Sequence, residues 1–178
     1  VKPRADGCSS GVVHLYRQED LQKYIALVDE RAPFIPKGTF TNQTQIIEMP
    51  PEAARDFIFE KFVETDIVRV KGNELKHIRK SGLIEITVGV LEENGKIKVL
   101  NPSITVAEGE VLSVEEKFQG GTGINITPPP RTIVTSKTLA RTKKLIGKVA
   151  EGIGITGYSR IDAFMDVDMR FWFVQVMF

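Results

Sequence analysis

The side chains best suited to chemistry in this sequence are cations and carboxylates set beside glycine-rich or apolar segments. Lys2 precedes the loop Arg4-Ala5-Asp6-Gly7-Cys8-Ser9-Ser10-Gly11. Glycines and small hydroxyl residues let backbone N–H groups approach phosphate oxygens, and a lysine adds a point charge. The lysine comes before the glycines, so this is not the usual phosphate loop, and a plain surface lysine fits the pattern too. Glu60 sits in Phe57-Ile58-Phe59-Glu60-Lys61-Phe62-Val63. A carboxylate among such neighbours needs a cation or hydrogen bonds, which a structural salt bridge or a ligand would equally supply. Lys117, in Glu115-Glu116-Lys117-Phe118, stands before a glycine-rich segment, and a hinged lid can carry a cation onto a phosphate as it closes. Arg160 and Asp162 alternate with Ile161 and Ala163, which places both charges on one side of a strand. An arginine there can stabilise developing negative charge and an aspartate can hold magnesium. A structural ion pair fits the same spacing.

The elements that must position these groups follow from periodicity. Leu21, Tyr24, Ile25 and Val28 have helical spacing over residues 18–28. Residues 32–51 are rich in Pro, Thr and Asn and read as a long connection, and 57–63 as an aromatic-rich strand. The basic stretch 66–82, with Arg69, Lys71, Lys76, Arg79 and Lys80, reads as a solvated loop or hairpin, or as a patch for phosphate or a partner. Ile84, Ile86, Val88 and Val90 alternate with Glu85, Thr87 and Gly89, the pattern of a half-buried strand with Glu85 on its polar face. Asn94-Gly95 marks a hairpin to a strand over 96–100. Gly120-Gly121, Gly123 and the prolines 128–130 predict a mobile loop. Ser136 can cap a helix running to about Glu151, with Leu139, Leu145, Ile146 and Val149 inward and Gly152 beyond it. Residues 158–167 and 171–176 read as a closing antiparallel pair, and Asp166 and Asp168 as turn acids. The order of elements predicts an α+β chain with mostly antiparallel strands.

Composition narrows the classes. The chain has 178 residues, 42% hydrophobic and 26% charged, with a net charge of +1, so nothing suggests a nucleic-acid partner. No apolar run approaches the ~20 residues of a membrane span. One cysteine, Cys8, rules out an internal disulfide and fits a reducing compartment. With only His14 and His77 beside it, a tetrahedral zinc site is not predicted. The chain begins Val-Lys-Pro in what reads as mid-strand, which predicts a missing upstream segment.

Read together, these stretches resemble the second half of a D-alanine–D-alanine ligase, an ATP-grasp carboxylate–amine ligase. The matching segments are Val1-Lys2-Pro3 with Asp6 to Val12, Phe59 to Val63, Glu85 to Val90, Glu115 to Phe118, and Gly157 to Asp162. They occur in the family's order and span nearly the whole chain; the Asp-Gly-Cys-Ser form and the spacer 64–82 look closest to plant-type members. The resemblance implies two α+β lobes with mostly antiparallel sheets sandwiching ATP. Residues 1–63 would be the remainder of the central lobe, and 64–178 the C-terminal lobe, cut before its end. It also implies a reaction that joins two D-alanines through an acyl phosphate for peptidoglycan synthesis. ATP and Mg2+ (or Mn2+) would be the cofactors, the full-length enzyme a homodimer, and the compartment cytoplasmic or plastid. By the same resemblance Lys2 and Lys117 would contact phosphates, and Cys8 and Ser9 would lie in the loop closing over them, Ser9 counting with Arg160 among the catalytic residues. Glu60, Lys61, Phe62 and Val63 would line the adenine slot, and Glu85 would hold the ribose. Arg160 would stabilise the tetrahedral adduct and Asp162 would bind magnesium.

The sequence departs from the family pattern in two places. Phe118 replaces a tyrosine hydroxyl between lid and serine loop. Gln175 stands where the family has a metal-bridging glutamate, and Met177 where it has an asparagine. An amide oxygen is a poor magnesium ligand and a thioether a worse one, so Gln175 is only a weak metal candidate and the chain as it stands is predicted not to ligate. The alternatives are another ATP-grasp ligase (with D-lactate as acceptor, for example), a non-catalytic nucleotide-binding remnant, or an interaction domain without a nucleotide site.

Overall fold

The computed structural model describes residues 1–5, 9–52, 54–71, 74–106, 124–168 and 175–177. The chain divides into two compact units, Val1–Val63 and Glu64–Phe178.

In the first unit, β1 (Lys2–Pro3) pairs antiparallel with β4 (Phe57–Ile58), and β2 (Phe34–Ile35) with β3 (Ile47–Glu48). The aromatic run around Glu60 is thus a two-residue strand followed by irregular chain, not the full strand its composition suggested. The long connection 32–51 contains its own short strand pair. Helix α1 (Gln18–Asp29) matches the predicted span, with Glu19 and Asp20 in its first turn where they complement the helix dipole. Its Tyr24 is buried with Val13, Ile35 and Phe40, and Phe57 packs edge-on to the Tyr24 ring at 5.6 Å between centroids. The Tyr24 hydroxyl donates to the Gly11 carbonyl at 2.9 Å, and burial pushes its pKa up to about 12. Gly11 has φ 67°, and a Cβ there would lie 2.9 Å from Pro3 Cγ, so backbone angle and space both demand glycine. Ile25, by contrast, stays half exposed despite its helical spacing.

The second unit is built on β7 (Leu83–Glu93), the longest strand described. It pairs on one side with β8 (Lys96–Val99) through the Asn94-Gly95 turn, both residues at positive φ (54° and 76°) as a two-residue hairpin of this kind requires. On the other side lies β11 (Tyr158–Asp166), and beyond it β12 (Gln175–Met177). The sheet order is β12-β11-β7-β8, antiparallel throughout. Ile84, Ile86, Val88 and Val90 of β7 and Ile161, Ala163 and Met165 of β11 form one buried face. Helix α2 (Ser136–Gly152) covers that face. Its cap is Thr135, one residue before the expected Ser136: the Thr135 hydroxyl accepts from the Thr138 N–H at 3.1 Å. The deepest row on α2 is Thr138, Thr142, Ile146 and Ala150, a four-residue repeat in which small residues let the helix sit close to the sheet. Leu139 and Val149 flank it, half-buried. Part of the expected mobile loop is strand: β10 (Ile124–Ile126) pairs with β9 (Ile104–Val106). Residues 107–123 of that region, with Lys117 and Phe118, lie outside the described residues, as does Cys8, whereas the prolines 128–130 are described and irregular.

The basic stretch forms a hairpin, β5 (Ile67–Lys71) with β6 (Glu74–Ile78). Its base is fastened by Asp66, whose side chain is fully buried. Oδ1 accepts the backbone N–H groups of Lys80, Ser81 and Gly82 at 2.7–2.9 Å, and Oδ2 meets His77 Nε2 at 2.9 Å. Burial alone would raise the Asp66 pKa, but these hydrogen bonds outweigh it and hold the carboxyl below its ordinary value. A carboxylate depressed on folding contributes stability that is complete above its unfolded pKa and disappears as pH falls through the folded one. Urea unfolding at neutral pH is therefore expected to show Asp66→Asn destabilised by about 2 kcal/mol, since hydrogen bonds to an ionised group are lost. The gap from the unsubstituted chain should shrink once the pH drops below about 4, where the unfolded carboxyl protonates.

Candidate functional site

Each unit carries one cluster of the residues singled out by sequence, and each is described by itself. In the first, the chain leaving β4 brings Glu60 Oε2 to 2.9 Å from Lys2 Nζ. Two groups assigned to opposite ends of a nucleotide therefore neutralise one another here. Their side chains are 30% and 58% exposed, so solvent screens the pair and leaves both heads accessible. Phe62, largely exposed, stacks on the His14 ring at 3.8 Å and an interplanar angle of 15°, and Tyr16 lies tilted against the same ring at 4.1 Å. Partial burial, then the positive amino group of Val1, lower the His14 pKa, favouring the neutral ring. Sequence reasoning had used His14 only to argue against zinc. Its signal was its alternation with exposed Tyr16, which meant little until Phe62 was seen beside it. Lys61 is exposed and Val63 half-buried. Ser9 adopts a left-handed φ of 63°, and its carbonyl accepts from the Val12 N–H at 3.2 Å, closing the turn after the glycine loop.

In the second unit the register of β7 with β11 sets Thr87 opposite Asp162, Gly89 opposite Arg160 and Glu85 opposite Phe164. Residues directly opposite share a face, here the one turned away from α2. Thr87 Oγ1 donates to Asp162 Oδ1 at 2.7 Å, and Arg160 Nη2 donates to Asp162 Oδ2 at 3.1 Å. Thr87 is the functional candidate that sequence reasoning missed. The alternation had put it on the polar face, but only the strand register reveals its partner. Glu85 is exposed in the middle of the same face. β12 enters antiparallel to β11, with Gln175 opposite Phe164 and Met177 opposite Asp162.

These donors can be tested against a magnesium ion. A hard divalent cation takes about six oxygens, with carboxylates preferred. Among the described residues no three His, Cys, Asp or Glu side chains come together. Asp162 brings one carboxylate, with Thr87 on one oxygen and Arg160 on the other. That donor set does not fit a tightly held magnesium.

The exposed Lys2–Glu60 pair is expected to matter little for folding. Glu60→Gln should shift the urea-unfolding free energy by less than about 1 kcal/mol, whereas Tyr24→Phe, which strands the buried Gly11 carbonyl, should cost about 1 to 2 kcal/mol.

Comparison with known proteins agrees with the second unit's architecture. No curated protein matches the chain. The family described as D-ala D-ala ligase C-terminus matches residues 78–177, from the end of β6 through β12, which is more than half of the sequence. The match takes in β7, α2 and β11, the elements that hold Glu85, Thr87, Arg160 and Asp162. The chain belongs to the D-alanine–D-alanine ligase C-terminal family.

Proposed function

We propose that this chain supplies the nucleotide-binding and oxyanion-stabilising residues of an ATP-dependent ligase that joins two D-alanines. The observation that carries the reading is the family match over 78–177 together with Arg160 projecting from β11 beside the polar face of β7. In this reading, Val1–Val63 and Glu64–Phe178 belong to the two ATP-grasp lobes.

Lys2 and Lys117 neutralise the phosphates, and the segment of Cys8 and Ser9 offers them backbone N–H groups. Glu60 accepts from the adenine amino group, Lys61 and Val63 offer backbone polar groups to the ring edge, Phe62 lies against its face, and Glu85 receives the ribose hydroxyls. The first D-alanine's carboxylate attacks the γ-phosphorus and ADP departs. The amine of the second then attacks the acyl carbon of the acyl phosphate. Arg160 stabilises the negative oxygen of the tetrahedral adduct, which collapses to the dipeptide as phosphate and a proton leave. Such chemistry needs positioning and charge neutralisation and no side-chain nucleophile. Because the described donors do not fit magnesium, no step is assigned to a metal.

A second reading, a nucleotide-binding module without turnover, is favoured by that shortage of carboxylates and by Gln175 on β12. Calorimetric titration with ATP tests both. Lys2→Met and Glu60→Ala should each weaken ATP binding about tenfold, as expected for loss of a charge-assisted contact. Phosphate release that depends on D-alanine supports the ligase; binding without such release supports the second reading. No ATP binding, or binding indifferent to both substitutions, defeats the two together.

A further inference from the structure

Asp162 has a different job in this geometry from metal binding. Its carboxylate sits at a fully paired point of the sheet. Thr87, directly opposite, exchanges backbone hydrogen bonds with Ser103 on its other side, N–H to carbonyl at 2.9 Å and 2.8 Å in return. The threonine is therefore held on both flanks, and its hydroxyl reaches Asp162 Oδ1 from a fixed position at 2.7 Å. That contact sets the plane of the carboxylate and turns Oδ2 along the strand to Arg160 Nη2, 3.1 Å away.

Arg160 needs such help. Its side chain is 70% exposed, and its cross-strand neighbour Gly89 has no side chain to pack against it. Leu100 covers the space where a Gly89 Cβ would stand. A long cation in that setting samples many rotamers, and fixing it in one has an entropic cost at each binding event. A carboxylate two residues along, itself pinned, removes part of that cost in advance.

We infer that Thr87, Asp162 and Arg160 act as one positioning relay, in which Thr87 orients the Asp162 carboxylate and Asp162 aims the Arg160 guanidinium at an anionic group of the substrate. Thr87 and Asp162 are positioning residues; Arg160 alone touches the anion. The identity of that anion, a phosphoryl oxygen of bound ATP and then the adduct oxygen during turnover, rests on the ligase reading. The relay itself does not.

The test separates the two. In the full 178-residue chain, nitrogen-15 exchange NMR reads how fast the Arg160 guanidinium rotates about its Nε–Cζ bond. Thr87→Val should speed that rotation about threefold, the scale of a partly exposed pair. Asp162→Asn should speed it at least as much, and Thr87→Ser, which keeps the hydroxyl, should match the unsubstituted chain. Equal rotation in all four proteins overturns the relay, whether or not the chain binds nucleotide. Thermal unfolding of the same set separates loss of the relay from loss of the fold, because valine is nearly isosteric with threonine.

The second arm measures ATP affinity in EDTA. Thr87→Val and Asp162→Asn should each weaken it about threefold without any divalent ion present, and adding Asp162→Asn to Arg160→Gln should weaken it no further than Arg160→Gln alone. An Asp162→Asn effect that appears only when magnesium is supplied overturns the relay and makes the aspartate a metal ligand. Altered rotation without any ATP binding by the unsubstituted chain would leave the relay standing and defeat the proposed function.

Discussion

The second unit depends on one constraint, the antiparallel register between β7 and β11, from Tyr158 opposite Leu91 to Asp166 opposite Leu83. A strand has a side-chain period of two, so one register fixes both faces at once. On one face it seats Ile84, Ile86 and Val88 beside Ile161, Ala163 and Met165 beneath α2. On the other it brings Thr87 to Asp162 and leaves Arg160 over a glycine. The core supplies the energy that holds the register, and the polar face uses the register without contributing much to stability. A shift of β11 by one residue would bury Asp162 and Arg160 and expose Ile161 and Met165, which the hydrophobic term alone forbids.

Charge is managed differently in the two units. Lys2 with Glu60, and Arg160 with Asp162, are solvated pairs whose worth lies in where they hold their heads. Asp66 is the opposite case, a buried anion surrounded by N–H donors and an imidazole, with its full hydrogen-bonding capacity turned inward. The first kind can exchange its partner for a ligand at small cost. The second cannot, and its role is structural.

Periodicity made α1, the β7–β8 hairpin, α2 and β11 legible, because each has an amphipathic pattern that only one kind of element satisfies. It failed where tertiary contacts override composition. The aromatic run 57–63 looks like a strand but is paired only at Phe57–Ile58, since β1 offers just two partners. Ser136 looked like the cap, but Thr135 has the extended backbone that a cap needs. At the polar face, the alternation announced that Glu85, Arg160 and Asp162 point outward. No local pattern could say that Thr87 faces Asp162, because a contact across 75 residues exists only once strands are paired. Asp66 escaped notice for a related reason. Among basic neighbours it reads as one more solvated charge, and its burial depends on a turn closing around it at 80–82.

That turn has a bearing on how the chain can change over evolutionary time. The β5–β6 hairpin is moored at its root by Asp66, by Val68 packed on the main core and by the Arg79–Asp168 pair. The solvent-facing charges of the hairpin can then be changed so long as the mooring acid, its imidazole, the three amides and the packing of Val68 survive. The exposed side of this basic outgrowth is therefore free to acquire new surface chemistry without rewriting the architecture that carries Arg160.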